Sequence, residues 1–246
     1  MADDFTLSTF TVDVTIPLGH RCMGVLPTKS KSVADPLYAH GFVLSGKDKP
    51  VVLCALDWCE VRNGAYEQWR DTLAKAAGTS PNYVLLTALH QHDAPVVDLD
   101  AQNLLNKVGL HNELYHVTWH DQTLARVAQA VKDSLELAMP VTHYGTSAVK
   151  VDRIASNRRV VLENGSVTYG RGSRSGGNEF MSNAPEGDID PMLKTITFFN
   201  DDKALLQLHH YATHPMSYYG QGVVSADFVG LARARLQREN QPYHNR

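Results

Sequence analysis

The stretch from Pro50 to His92 constrains the fold more than any other part of the chain. "PVVLCALDW" is a continuous apolar run of the kind that forms a strand covered on both faces. Residues 62–77, "RNGAYEQWRDTLAKAA", then place Tyr66, Trp69, Leu73 and Ala76 on one helical stripe. "YVLLTALHQH" supplies a second short interior strand. Strand, helix and strand within about 40 residues suit a crossover between parallel strands. The fold class is therefore read as α/β.

The flanking segments extend this core. "FTLSTFTVDVTI" alternates around Phe10, Val12, Val14 and Ile16 as a half-buried strand, and "LYAHGFVLSG" reads as another. Residues 112–138 repeat Leu114, Val117, Leu124, Val127, Val131 and Leu135 at helical spacing, with Pro140 as the stop. Beyond residue 150 the character changes to hairpins. Asn164-Gly165 is a strong turn signal between β-prone flanks, and "MLKTITFFNDDKALLQLHHYATH" folds back at residues 200–203. The expectation is mixed β-sheets flanked by helices, with a parallel crossover in the first half and antiparallel hairpins in the second. A long loop, "GRGSRSGGNEFMSNAPEGD", lies between the hairpins where it can cover a pocket. The whole of residues 1–246 is read as a single domain, truncated at the carboxyl end relative to the family resemblance given below.

Charge excludes one large class of partners. The formal net charge is −3, which gives no broad basic field for nucleic acid. No apolar run approaches the roughly 20 residues that span a bilayer. "MADDFTLSTF" lacks the basic-then-apolar layout of a signal peptide, so a cytoplasmic protein is expected. Cys22, Cys54 and Cys59 form no C-x-x-C pair, which argues against a disulfide framework and a cysteine zinc clip.

The histidines carry the chemistry. There are twelve, and two interior strands run into them, "YVLLTALHQH" and "LLQLHHYATH". Residues i and i+2 of a strand share a side, so His90 and His92 are expected to point together. His214, from the second strand, completes the candidate zinc group, because neutral imidazole nitrogens bind zinc well. The same parity makes His210, and not His209, the neighbour able to share His214's side. Asp57 and Asp93 follow the ends of their strands, where each can orient a histidine or serve as a base. Arg158, in "ASNRR", can stabilise an oxyanion or bind a carboxylate. Asp227, in "VVSADFVG", is a candidate acid beside a helix start, as is Ser225 for its cap.

The order of these motifs resembles the neutral, non-lysosomal ceramidase superfamily, specifically the amino-terminal half of its catalytic domain. "LTALHQHDAP" corresponds to the family's H-x-H-S-G-P segment, with Asp93 and Ala94 in place of serine and glycine. "ASNRR" corresponds to its N-R segment, and "LHHYATHP" with "VVSADFVG" to its strand-end histidine and serine-x-aspartate stretch. The resemblance implies a zinc amidase with His90 and His214 as metal ligands, Arg158 as a substrate contact and His92 as a supporting residue. The family's remaining ligands, a glutamate and a tyrosine, and its G-D-x-S-P serine have no counterpart found in this sequence.

The expected activity is zinc-dependent hydrolysis of an amide or ester by a metal-activated water. His92, Asp93, Arg158 and Asp227 are the expected catalytic residues, with His90, His92 and His214 on the metal. The expected partner is a small acyl amide or ester, since no exposed apolar stretch announces a lipid groove. A homo-oligomer would suit a half-length catalytic unit. A metal-dependent esterase or lactonase differs only in leaving group, and a non-catalytic binding protein would keep the fold and hold a ligand.

Overall fold

The computed structural model describes residues 5–23, 26–172 and 175–239. The first half contains β1 (Thr6–Asp13), β2 (Ser32–Val33), β3 (Tyr38–Ser45), β4 (Val51–Leu56), β5 (Glu60–Arg62) and α1 (Asn63–Ala76). It continues through β6 (Val84–Ala88), β7 (Val96–Asp98), α2 (Leu99–Asn106) and α3 (Val117–Leu135). The second half contains β8 (Met139–Pro140), β9 (His143–Lys150), β10 (Val160–Val161), β11 (Val167–Thr168) and α4 (Glu179–Asn183). It ends with β12 (Met192–Asn200), β13 (Lys203–His210), β14 (Val223–Val224) and α5 (Asp227–Glu239). Residues 240–246, the end of the expected carboxyl-terminal helix, lie outside the described residues, as do 173 and 174 of the long loop.

The main sheet has the order β6-β4-β3-β1-β8 and is mixed. β4 and β6 are parallel, joined by α1 as the crossover reading predicts, whereas β1, β3 and β4 pair antiparallel. A further parallel pair, β5 with β7, lies beside α1. In the second half β9, β12 and β13 form an antiparallel sheet, and β10 pairs antiparallel with β11 around Gly165.

One face of the main sheet supplies Phe10, Val43, Val52, Cys54, Leu56, Val84 and Leu86 to a single core. Trp69 and Leu73 of α1 and Leu124, Val127 and Val131 of α3 close that core from the helical side. The ring of Phe10 occupies the space where residue 41 would carry a side chain: a Cβ there would fall 2.2 Å from its Cζ. Only glycine permits that strand pairing. β4 is not covered equally on both sides. Val52, Cys54 and Leu56 are buried, but Val51 is exposed and Leu53 and Ala55 are half-buried. The helices fill one face, while the other meets the second sheet at the Phe42–Phe198 ring contact, with centroids 6.1 Å apart.

Two expected elements change length for local reasons. The helix expected over 112–138 starts at Val117, because Asn112 takes a left-handed φ of 55° and its side chain accepts the Val117 N–H. Residues 114 and 115 are instead held by Gln102 of α2, whose Oε1 accepts both backbone N–H groups. The strand expected to reach His214 stops at His210, so His214 stands on the loop that follows β13.

Several histidines are structural. His20 donates from Nδ1 to the Arg21 carbonyl at 2.8 Å and accepts the His116 N–H at Nε2. Burial is the main cause holding it at about 4, against the proton-favouring Arg21 carbonyl, and burial likewise holds His40 at about 4. A histidine depressed in the folded state takes up protons first when unfolded. Stability is therefore full above about 6.5 and falls as pH drops toward 4, by up to ~3 kcal/mol for a group shifted this far. The urea midpoint is expected to decline steadily between pH 7 and pH 4.5. His20→Gln should flatten that slope.

Candidate metal centre

The chain leaves β6 still bonded beside the continuation of β4. Leu89 N–H donates to the Leu56 carbonyl at 2.9 Å and His90 N–H to the Trp58 carbonyl at 3.0 Å. His90 then takes a left-handed φ of 69°, uncommon for a residue with a Cβ. That turn, not strand alternation, brings the rings of His90 and His92 together, with centroids 5.0 Å apart. Between them Gln91 points the other way into the protein. Its Nε2 donates to Asp57 Oδ1 at 3.0 Å and to the Ala226 carbonyl at 3.2 Å.

His90, His92 and His214 converge as the sequence suggested. Their candidate ligand atoms lie within 4.8 Å of one another, the one such group of three or more among the described residues. The His90 and His214 rings stack with centroids 5.0 Å apart, and His92 meets His214 edge-on at 4.7 Å. His210 does not join them.

Two of the rings are oriented by main-chain carbonyls. Nδ1 of His92 donates to the Pro215 carbonyl at 2.7 Å, and Nδ1 of His90 donates to the Cys59 carbonyl at 3.0 Å. Each is left with a lone pair on Nε2, the state a metal ligand requires. His214 differs, because its Nδ1 accepts from Nη2 of Arg158 at 3.0 Å. Its free lone pair is therefore shared with a guanidinium, and an ion bound there would have to displace Arg158. Burial first, then the neighbouring histidines and Arg158, hold His214 at about 4. Burial also lowers His92. Both are neutral at pH 7, as ligation needs.

The two expected acids act on the loop that carries His214. Asp93, fully buried, accepts from Gln221 N–H and Gly222 N–H at 3.0 Å each. Asp227, also fully buried, accepts from Ser217 N–H at 2.9 Å and Tyr218 N–H at 3.1 Å through one oxygen, and from Phe228 N–H through the other. The segment after His214 is thus held between two carboxylates. Ser225 donates to Asp35 at 2.6 Å and accepts the Asp227 N–H, just ahead of α5. Asp57 forms a bidentate pair with Arg233 of α5, at 3.1 and 2.6 Å, and accepts the Tyr38 N–H. It reaches the histidines only through Gln91.

Sequence reasoning missed four participants. Pro215 and Cys59 act through carbonyl oxygens, which every residue has, so no side-chain pattern announces them. Tyr219 packs its ring 4.9 Å from His92. Arg171 is buried, and its guanidinium donates to the carbonyls of Asn157, Met181, Ala184 and Pro185. It thereby gathers the long loop against the "ASNRR" segment. Beside the histidines lie two adjoining cavities of about 510 and 590 Å³ that share Arg158, Arg171, Gly172 and Met216. The loop from Tyr169 walls one of them, as its predicted covering role requires.

Three imidazoles fit a divalent metal in kind. A tetrahedral zinc with bonds of about 2.1 Å needs its ligand nitrogens about 3.4 Å apart, inside the 4.8 Å that bounds their spacing here. The two carboxylates hold the loop that carries His214. Asp93→Asn leaves one amide facing a backbone N–H and should weaken zinc binding ~10–100-fold, read by competition with a chromogenic chelator while circular dichroism stays unchanged.

No helix among the described residues is long and apolar enough to cross a membrane. No protein-family model matches the sequence, and no curated protein does. Solved structures do match. The neutral ceramidase from Pseudomonas aeruginosa superposes over 97% of this chain with a TM-score of 0.71 at 14% identity. A ceramidase complexed with C2 superposes over 96% with a TM-score of 0.65 at 12% identity. This chain spans 36% of the length of each. Over nearly its whole described length, the chain has the fold of that portion of neutral ceramidase.

Proposed function

We propose that the chain carries a zinc-dependent hydrolytic centre that cleaves an acyl amide or ester. The observation that supports this best is the convergence of three histidines, two of them oriented through Nδ1, beside a cavity lined by His214 and Arg158. His90, His92 and His214 would hold the ion. When bound, zinc would polarise a carbonyl and bring the pKa of a water near 7.

The other roles belong to the protein. Arg158 places a permanent positive charge against the histidine group, where it can stabilise the negative charge that develops on a carbonyl oxygen. Asp93 and Asp227 keep the His214 loop in place rather than meeting substrate. Gln91 and Asp57 fix the backbone between His90 and His92.

A second reading has its own observation. The candidate nitrogens lie up to 4.8 Å apart, wider than a closed zinc site, which suits a protein that holds a ligand without turning it over. Elemental analysis and assays with an acyl amide and an aryl ester separate the two. Stoichiometric zinc with turnover of either substrate supports the hydrolase, and the preferred substrate distinguishes amidase from esterase or lactonase. Metal-free protein with no turnover supports the binding protein.

A further inference from the structure

The cavities beside the histidines have an unusual electrical character. Arg158 and Arg171 both line them, and among the described residues no aspartate or glutamate does. Arg171 is 8% exposed, and all its hydrogen bonds go to neutral carbonyls, so its charge has no carboxylate partner. Arg158 is exposed to the cavity and uses only Nη2, on His214 and on Sδ of Met216. Among the described residues its Nε and Nη1 make no hydrogen bond, so single N–H donors remain on either side of the guanidinium for an anion.

The two cations differ in what they can do. Arg171 is consumed by loop carbonyls and contributes only its field, which a buried charge projects with little screening. Arg158 has donors to spare. Next to it the cavity is lined by Ile154, Ile189 and Met216, which suit an acyl chain and offer no competing charge.

From this arrangement we propose that the substrate is an acyl compound bearing a carboxylate close to its scissile bond, with N-acyl amino acids as the amide case. The carboxylate docks on a free N–H of Arg158, at Nη1 or Nε, and the scissile carbonyl lies toward the histidines. The acyl chain lies along Ile154, Ile189 and Met216. This rests on the hydrolase reading above. Hydrolysis then breaks the C–N bond, water oxygen joins the acyl carbon, and the amine takes a proton to leave as a free amino acid.

The test compares N-acetylleucine with N-acetylleucinamide, which differ in charge and hardly in shape. Binding is measured by ligand-observed NMR on the whole protein, with zinc content determined on the same sample. The acid should bind at least ~10-fold more tightly than the amide, as one charge-assisted hydrogen bond supplies, and added salt should weaken the acid alone. Arg158→Gln should abolish the difference, and Arg158→Lys should retain part of it. Equal binding of the two ligands, no binding of either, or a preference that survives Arg158→Gln would overturn the proposal. Zinc-loaded protein with no charge preference overturns the substrate class and leaves the hydrolase standing. Charge preference in protein that takes up no zinc does the reverse.

Discussion

His90→Ala will lose bound zinc and hydrolysis together, with turnover falling by at least ~100-fold, because removal of a ligand exceeds the 10–100-fold cost of removing a group that merely orients one. The argument is geometric. His90 is the only member of the trio held from below by the chain that follows β4, through the Cys59 carbonyl, and its left-handed backbone is fixed by the Trp58 carbonyl. No other imidazole among the described residues stands close enough to replace it. Its position after β6, outside the hydrophobic core, means that the fold should survive the change. Thermal unfolding of metal-free protein should shift by no more than a degree or two, which separates loss of site from loss of structure. His90→Ala protein that retains both zinc and turnover would contradict the assignment.

Asp57→Ala should be the most damaging single change to stability, by about 3–5 kcal/mol, because it strands a partly buried guanidinium. Asp57 is fully buried, and burial raises its carboxyl against the opposing pull of Arg233. The pair ties α5 to the end of β4, and the same carboxylate anchors Gln91 between two site histidines. Stability and site geometry therefore share this residue. Urea unfolding of Asp57→Ala, Arg233→Ala and the double variant forms a cycle. The double variant should cost clearly less than the sum of the two single changes, as coupled partners require. Strict additivity would show that the ion pair does not join these elements.

The parallel crossover and the helical stripe of α1 were legible because apolar periodicity reports burial directly. The two hairpins were legible for a different reason, since Asn164-Gly165 and the polar turn at 200–203 are chemically marked. The metal group was legible as residue types, yet the stated route to it was incomplete. His90 and His92 converge through a positive φ at His90, and His214 arrives by a loop after β13. Strand parity describes neither.

Helix α2 escaped notice because Leu104 faces solvent and the helix is anchored by Gln102, a polar residue with no helical pattern of its own. The roles of Asp93 and Asp227 show the same limit. An aspartate beside a histidine motif reads as a catalytic acid, and only the folded chain shows that Asp93 and Asp227 also accept backbone N–H groups of the loop after His214. Arg171 carried no signal at all, since its partners are carbonyl oxygens spread over residues 157–185.

The most direct measurement is a diffraction experiment at the zinc absorption edge on crystals of the zinc-supplemented protein. The account predicts one anomalous peak about 2.1 Å from a nitrogen of each of His90, His92 and His214, with Arg158 drawn away from Nδ1 of His214. Absence of a peak there, or a peak elsewhere with the three ring nitrogens still up to 4.8 Å apart, would contradict it.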